Sequence, residues 1–284
     1  MSISRAAFQA LAQAIRQDNP ELSFQIFEIG ARNKGAPEVF HELLDLFPQS
    51  AIYAFEADAE VCEEMNGSAK PGLTYYPYVL GANNSEVEFY ETVNPMCSSL
   101  YKPREQYFSL FNALDVARLK KTHQVTTQTL NSFLVEQEIE DADFVKIDIQ
   151  GAEVDVFNGG ENALDHCSFV VTEVEFVQLY ENQPLFGDVC QKLGEFDLSF
   201  HKFLSLEGRA LRPIALEKPS QHMWSDAVFV HDLAQLHELA TDKLMKTALL
   251  ACLYESPDLA HFCMSILDAR SGTEYANVVS HSLK

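Results

Sequence analysis

The sequence predicts a Rossmann-like α/β fold, with a mostly parallel sheet of about seven strands and flanking helices. Between residues 21 and 231, short β-branched runs that end in glycine or acidic residues alternate with stretches of helical periodicity. After Val230 the pattern is wholly helical, which indicates a C-terminal extension. We therefore expect an N-terminal helix (residues 1–20), an α/β domain (21–231) and a helical extension (232–284).

The first elements indicate a helix followed by a β-α-β unit. Phe8, Leu11, Ala12 and Ile15 form one apolar stripe at helical spacing, so this helix is expected to pack as a lid on the domain. The elements that follow are predicted as a strand over 22–30 ending at a glycine, a helix around 37–47, a strand over 51–56 and a helix over 58–66. Alternation of this kind favours parallel strand pairing.

The middle of the domain contains a long connection. Strands are predicted over 73–80, 87–90 and 125–128, followed by a helix over 130–137. Residues 91–124 form an irregular insertion that contains Pro95, Pro103 and several aromatic residues. A connection of this length in a compact domain is more often functional than idle, so we interpret it as a substrate loop, with a poorly ordered surface loop as the alternative.

The remaining elements complete the sheet and add the extension. Strands are predicted over 144–149, 169–176, 198–204 and 227–230, with helices near 153–164 and 185–194. In the extension, Ser256 and Pro257 suit the start of a helix whose apolar stripe contains Leu259, Cys263 and Ile266. This stripe either packs on the domain or forms a homodimer.

Composition excludes several classes of partner. The 284 residues include 42 acidic and 20 basic side chains, giving a formal charge of −22 that repels nucleic acid and anionic membrane surfaces. The six cysteines are scattered without metal-finger spacing, which fits a reducing cytoplasm. No stretch approaches the roughly 18 apolar residues of a membrane span, and no leader-like apolar region opens the chain. We expect a cytoplasmic protein.

The strand over 144–149 ends in a pattern typical of a site. Asp148, Gln150, Gly151 and Glu153 follow its apolar residues, and open α/β sheets bind ligands beyond such strand ends. Asp148 is a candidate base or metal ligand, with helix capping as its structural alternative. Glu153 is better explained as a first-turn acid that complements the helix dipole. Glu173, on the next strand, is the natural second carboxylate.

Two other strand ends indicate a nucleoside-bearing cofactor. Glu28 is placed to accept a hydrogen bond from a ligand amine, and Gly30 permits close backbone approach. Glu56, which ends the second strand, is placed to accept both ribose hydroxyls. The spacing from Gly30 to Gly35 falls short of a dinucleotide fingerprint. The histidines lack ligand spacing and are interpreted as structural or exposed, although a histidine base from the insertion stays open.

These residues resemble the FkbM-type S-adenosylmethionine-dependent methyltransferases. The resemblance spans roughly residues 22–231 and rests on Glu28-Ile29-Gly30, on Ala54-Phe55-Glu56-Ala57-Asp58, on the run from Lys146 to Gly160, and on Val171-Thr172-Glu173-Val174-Glu175-Phe176 with Gln183-Pro184-Leu185-Phe186. The first motif departs from the usual family pattern, because one extra residue precedes its second glycine, Gly35.

The resemblance implies a class I methyltransferase fold and an O-methyltransferase that uses S-adenosylmethionine. The implied acceptor is a hydroxyl of a sugar, glycan precursor or related small metabolite. The implied catalytic residues are Asp148 and Glu173, with Mg²⁺ if both carboxylates face one cation. The candidate cofactor contacts are Glu28, Gly30, Glu56, Ala57, Leu80 and Gly81, and the candidate acceptor contacts are Ser98, Ser99 and Tyr101.

Two other functions stay open. One is a non-catalytic nucleoside-binding or assembly protein that uses its helical extension to bind a partner. The other is a nicotinamide-dependent oxidoreductase, in which Glu56 would still hold a ribose. The missing three-glycine fingerprint counts against the oxidoreductase.

Overall fold

The computed structural model describes residues 3–32, 37–217, 219 and 221–283. Within them the strands are β1 Gln25–Ile29, β2 Ala51–Phe55, β3 Leu73–Tyr76, β4 Val79–Leu80, β5 Glu86–Thr92, β6 Leu119–Gln128, β7 Phe144–Ile147, β8 Phe169–Glu175, β9 Leu198–Phe203, β10 Glu207–Gly208 and β11 His222–His231. The helices are α1 Ile3–Asp18, α2 Leu43–Leu46, α3 Ala59–Asn66, α4 Glu105–Phe108, α5 Leu130–Glu136, α6 Glu153–Gly159, α7 Glu161–Leu164, α8 Phe186–Gly194, α9 Thr241–Leu253, α10 Pro257–Ser271 and α11 Tyr275–Ser282.

The main sheet is mostly parallel, as predicted. Its order is β10-β11-β8-β7-β1-β2-β3, and β9 also pairs with β11. Strands β1, β2, β3, β7 and β8 run parallel, whereas β11 is antiparallel to both β8 and β9. The chain leaves β1 toward β2 on one side and returns to β7 on the other. The topological switch point therefore lies between β1 and β7, and ligands of such sheets bind at the carboxyl ends of the two strands there.

A second, three-stranded sheet differs from the prediction. It has the order β4-β6-β5, so residues 73–80 form two strands in two different sheets. Strand β6 begins at Leu119, well before the predicted residue 125, and it forms a hairpin with β5. Its first half is polar and largely exposed, so it lacks the apolar run from which a strand is predicted. The predicted insertion therefore contributes strand residues at both of its ends.

Helices cover both faces of the main sheet. Helices α1, α9, α10 and α11 pack on one face against residues that include Phe24 and Phe144, and helices α5 to α8 pack on the other against Val145 and Ile147. The extension thus packs on the domain. The Ser4 hydroxyl donates to the Cys252 carbonyl over 2.7 Å, which joins the first helix to this extension. None of the described helices is long and apolar enough to cross a membrane.

The insertion has a small core of its own. Phe108, Phe111 and Leu114 are buried against Tyr180 and Met223 of the domain. An isolated antiparallel bridge between Phe111 and Leu211 adds a backbone contact. The segment between β5 and β6 is therefore packed against the end of the sheet where β7 and β8 finish.

Candidate active site

A cavity of about 450 Å³ lies at the carboxyl ends of β1, β2 and β7. The small sheet and the insertion form its opposite wall. Of the predicted site residues, those that line it are Gly30, Glu56, Ala57, Leu80, Ser98, Ser99 and Asp148. The volume falls in the range of roughly 300–1,000 Å³ that is typical of small-molecule sites. Residues from three separate strand ends therefore meet in one cavity.

Gly30 allows the ends of β1 and β7 to approach closely. Its φ of +82° lies in the left-handed region, and a Cβ atom there would stand 1.9 Å from the Asp148 carbonyl oxygen. The Asp148 amide donates to the Ile29 carbonyl over 2.9 Å, which holds the two strand ends together. Only glycine fits this position without moving the backbone. Asn33, Lys34 and Gly35, which complete the first motif, lie outside the described residues.

Glu56 presents a buried carboxylate at the end of β2. Its Oε1 accepts from the Asp58 amide over 2.9 Å and from Arg32 Nη2 over 3.2 Å. Arg32 also contacts Asp58, over 3.0 Å. A carboxylate offers about four acceptor sites, so Glu56 retains capacity for ribose hydroxyls while its orientation is fixed by these donors.

Gln150 joins the two predicted catalytic carboxylates. Its Nε2 donates to Asp148 over 2.9 Å and to Glu173 over 2.6 Å. Gln150 has a φ of +60°, an uncommon conformation for a residue with a side chain. Glu173 does not line the cavity and is connected to Asp148 through this amide.

The donor set around Asp148 does not fit a magnesium ion. The amide of Gln150 lies between the two carboxylates that the sequence expectation assigned to Mg²⁺. Within the described part of the chain, no three histidine, cysteine, aspartate or glutamate side chains are grouped so as to hold a metal. Among the described residues, Asp148 and Glu173 are therefore joined by an amide and do not form a Mg²⁺ site.

Charge around Asp148 is balanced by a buried lysine. The Lys146 ammonium lies 3.5 Å from the Asp148 carboxylate. Burial lowers the pKa of Lys146, but the nearby carboxylates, Asp148 first, raise it further than burial lowers it. Burial, and then the charge of Asp148, raise the pKa of Glu173 well above its ordinary range. Lys146 therefore remains a cation, whereas Glu173 favours its protonated form.

Two predicted cofactor residues lie away from this cavity. Glu28 Oε2 is 2.7 Å from His41 Nε2, both side chains are buried, and they border a smaller cavity of about 210 Å³. The Gly81 amide donates to the Gln128 carbonyl over 3.1 Å. A Cβ atom at Gly81 would lie 3.1 Å from the side chain of Thr127. Both residues therefore support the backbone next to the site.

Glu153 begins α6 as a buried first-turn acid. It accepts from the amides of Ile149 and Gly151, over 3.0 and 3.2 Å. These bonds fix the turn that follows β7. Burial raises the pKa of Glu153 to about 7, because the charged carboxylate is poorly solvated there.

The structure pairs His123, the insertion histidine that the sequence left open as a base, with Glu91, which sequence reasoning did not single out. His123 Nε2 and Glu91 Oε2 are 2.7 Å apart, and both residues line the cavity on the wall facing β1 and β7. Of the predicted acceptor contacts, Ser98 and Ser99 share this wall, whereas the Tyr101 hydroxyl donates to Asp155 over 3.0 Å and does not line it. Recognising β5 and β6 as one hairpin is the signal that would have brought Glu91 and His123 together.

Comparisons with known proteins show similarity to a methyltransferase family. The sequence profile described as "Methyltransferase FkbM domain" matches residues 28–201. The 2-O-methyltransferase NoeI of Sinorhizobium fredii is 24% identical over 196 residues, which cover 66% of this chain and 77% of that protein. A solved structure, magnesium protoporphyrin IX methyltransferase (ChlM) from Synechocystis PCC 6803 with bound SAM, has a TM-score of 0.35 and 9% identity, covering 81% of this chain and 79% of that one.

The family match spans more than half of the chain and includes the ends of β1, β2 and β7 that meet in the cavity. It also includes the hairpin of β5 and β6. The chain therefore belongs to the FkbM methyltransferase family, whose members use S-adenosylmethionine.

Proposed function

We propose that the protein methylates a hydroxyl of an uncharged sugar, glycan precursor or related small metabolite. The main support for the proposal is the arrangement of one cavity. Glu56, which suits the ribose of a nucleoside, lies on one wall, and the polar residues Ser98 and His123 lie on the opposite wall. The relative NoeI, a 2-O-methyltransferase, supports an oxygen acceptor.

The cavity residues fit S-adenosylmethionine. Glu56 would accept the ribose hydroxyls, and Gly30 would let the backbone approach the ligand. Ala57 and Leu80 would also contact the cofactor. Glu28 and Gly81 would hold the neighbouring backbone in place without contacting the cofactor. When bound, the cofactor supplies an electrophilic methyl group on a positively charged sulfur.

Asp148 would stabilise the cationic end of the cofactor. Its carboxylate faces the cavity and is held by Gln150 and Lys146. Glu173 would then be a positioning residue, because it reaches Asp148 only through Gln150. Methyl transfer needs an in-line arrangement of acceptor oxygen and methyl group, so such fixed orientation contributes to the rate.

The charge of the cavity indicates an uncharged acceptor. Four carboxylates line it, those of Glu56, Asp58, Glu91 and Asp148. Arg32 is the only lysine or arginine among the described residues that line it. A phosphate or carboxylate on the acceptor would be repelled by this arrangement. A neutral sugar would meet hydroxyl, amide and imidazole groups with which it forms hydrogen bonds.

Calorimetric titration with S-adenosylhomocysteine, with NADH as the control ligand, tests the cofactor site. We expect the first ligand alone to bind, and Glu56→Gln to weaken it roughly tenfold to a hundredfold, because charge-assisted hydrogen bonds are lost. Asp58→Asn is the matched control, since it also removes a carboxylate next to Arg32 and retains a good helix cap. Equal weakening by both variants would contradict the ribose assignment, and binding of NADH alone would favour an oxidoreductase.

A methyl-transfer assay tests the acceptor class. The probes are uncharged methyl hexosides and the matching methyl hexuronides, which differ by one carboxylate. We expect transfer to at least one hexoside and slower transfer to its uronide. Faster transfer to the uronide would refute the charge argument, and cofactor binding without transfer to any hydroxyl probe would favour a non-catalytic protein.

A further inference from the structure

We propose that His123 is the general base that removes the proton from the acceptor hydroxyl, and that Glu91 positions it. The inference rests on the proposed function and names a residue that acts in the same cavity. It starts from the 2.7 Å contact between His123 Nε2 and Glu91 Oε2. The His123 side chain retains 35% of its exposure, so it remains accessible from the cavity.

The register of the hairpin places the pair in the cavity. Phe89 lies opposite His123, and Val87 lies opposite Val125, in the antiparallel pairing of β5 with β6. Side chains alternate between the two faces of a strand, so Phe89 and Glu91 share a face with His123. Phe89, Glu91 and His123 line the cavity, whereas Glu88 is exposed outside it.

An irregularity in the hairpin places a cation behind Glu91. Glu91 pairs with Lys121 and Thr92 with Leu119, so Lys120 is an extra residue in β6. Lys120 Nζ lies 2.5 Å from Glu91 Oε1. Hydrogen bonds from Lys120 first, and then from His123, lower the pKa of Glu91 to about 2.

The ionised carboxylate determines the histidine tautomer. A carboxylate only accepts hydrogen bonds, so Nε2 of His123 must carry the proton that is donated to Glu91. In the neutral imidazole, Nδ1 then has a free lone pair and can accept a proton. A carboxylate that holds one ring nitrogen while the other works as a base is a common arrangement in enzymes.

Proton transfer to His123 accompanies transfer of the methyl group. His123 Nδ1 takes the proton of the acceptor hydroxyl while the acceptor oxygen forms a bond to the methyl carbon. The carbon–sulfur bond breaks, and its electron pair goes to sulfur, which gives S-adenosylhomocysteine. The imidazolium then releases its proton to water. General bases of this kind contribute roughly 10²- to 10⁴-fold to the rate.

Asp148 is less suited to this proton transfer. Its carboxylate already accepts from Gln150, and Lys146 lies 3.5 Å away. A carboxylate stabilised by a neighbouring cation is a weaker base than an imidazole. The other charged groups that face His123 across the cavity are Arg32, Glu56 and Asp58, with Lys120 behind Glu91.

The first test measures turnover of His123→Gln with a hexoside that the wild-type protein methylates. We expect kcat to fall about a hundredfold or more, while the affinity for S-adenosylhomocysteine changes by less than about twofold. His222→Gln is the control, because His222 is an exposed histidine of β11 outside the cavity. Added imidazole should restore part of the activity of His123→Ala, a result that a purely structural role would not produce.

The second test compares kcat with the affinity for S-adenosylhomocysteine in Glu91→Gln. Loss of the carboxylate removes the acceptor that holds the proton on Nε2 of His123, so we expect kcat to fall while the affinity for S-adenosylhomocysteine changes by less than about twofold. Glu88→Gln, on the same strand but exposed, is the matched control.

The outcomes separate the two proposals. A wild-type protein that methylates none of the probes refutes the proposed function, and this inference with it. A wild-type protein that is active, together with His123→Gln that has normal kcat and an unchanged pH profile, refutes the inference alone.

Discussion

Gly30 joins two strands that are far apart in the sequence. Its position at the end of β1 was predicted from the sequence, where we expected it to permit close approach of the backbone to a ligand. The reason for glycine is long-range, since the clash of a Cβ atom would be with the carbonyl of Asp148. The sequence therefore identified the residue, whereas the contact that requires it depends on the pairing of β1 with β7.

Gly30→Ala should destabilise the protein by about 1–3 kcal/mol, because it combines a backbone clash with an unfavourable positive φ. Urea unfolding measures the change, and binding of S-adenosylhomocysteine should weaken with it. Gly187→Ala is the control, since a Cβ atom there meets nothing within 4 Å and alanine favours the helix. Equal unfolding midpoints in the two variants would contradict this account of Gly30.

The buried carboxyl of Glu153 should make stability fall as pH rises. The pKa of Glu153 is raised from 4.5 to about 7 in the folded protein, so the folded state binds the proton more tightly than the unfolded state. That contribution is complete below pH 4.5 and is lost as pH passes 7. Glu153→Gln keeps an acceptor for the two amides and has no carboxyl to titrate. From pH 5 to pH 8, its free energy of unfolding should therefore rise by about 1–3 kcal/mol relative to that of the wild type. Urea titrations at both pH values measure this, with exposed Glu64→Gln as the control expected to show no such gain.

Glu56, Asp148 and Gly30 were accessible to sequence reasoning because each ends an apolar strand. The pair of His123 and Glu91 was not, because the two residues are 32 positions apart and their contact depends on hairpin register. Glu28 illustrates the opposite case. Its place at a strand end suggested a ligand contact, but the packing of the segment after β1 supplies His41 as a buried partner.

The insertion is fastened to the site by side-chain hydrogen bonds. The Ser99 hydroxyl donates to the Gln150 carbonyl over 2.8 Å, and the Tyr180 hydroxyl donates to the Cys97 carbonyl over 2.7 Å. Tyr101 adds its bond to Asp155. Length and composition predicted a functional insertion, but these anchors join residues that only the folded sheet brings together.

Tyr101→Phe should loosen the insertion without removing its packed ring. Loss of one hydrogen bond of about 1 kcal/mol should raise amide exchange in residues 95–118 roughly fivefold. Hydrogen–deuterium exchange with mass spectrometry measures this directly. Tyr90→Phe, which loses a hydroxyl bonded to exposed Glu88, is the matched control on the hairpin. Equal exchange in both variants would show that the Asp155 contact does not anchor the segment.

The N-terminal helix and the C-terminal extension share one hydrophobic core with the main sheet. Leu249 of α9 is fully buried in the same cluster as Phe24 and Phe144. From the sequence we predicted a separate C-terminal segment, because the alternation of strands and helices ends near residue 231. Periodicity alone does not reveal whether a helical segment covers its own domain or a partner, since an apolar stripe has the same form in both cases.

Leu249→Ala should therefore destabilise the whole domain. The expected loss is about 2–4 kcal/mol, from lost burial and the cavity that is left. Trp224, the single tryptophan, lies in β11 and reports unfolding of the sheet by fluorescence. Phe262→Ala, at a position that is 46% exposed on α10, is the control expected to leave the midpoint unchanged. A Trp224 transition unaffected by Leu249→Ala would indicate an independently folding extension.

The cavity is bounded by two sheets that, among the described strands, share no ladder. The wall with Gly30 and Glu56 belongs to the main sheet, and the wall with Glu91 and His123 belongs to the hairpin. Residues of the hairpin other than Glu91 and His123 could therefore vary without disturbing the cofactor wall, which gives evolution and protein engineers the same route to a new acceptor. Exchange of residues 86–128 between relatives would transfer acceptor preference and leave cofactor affinity unchanged.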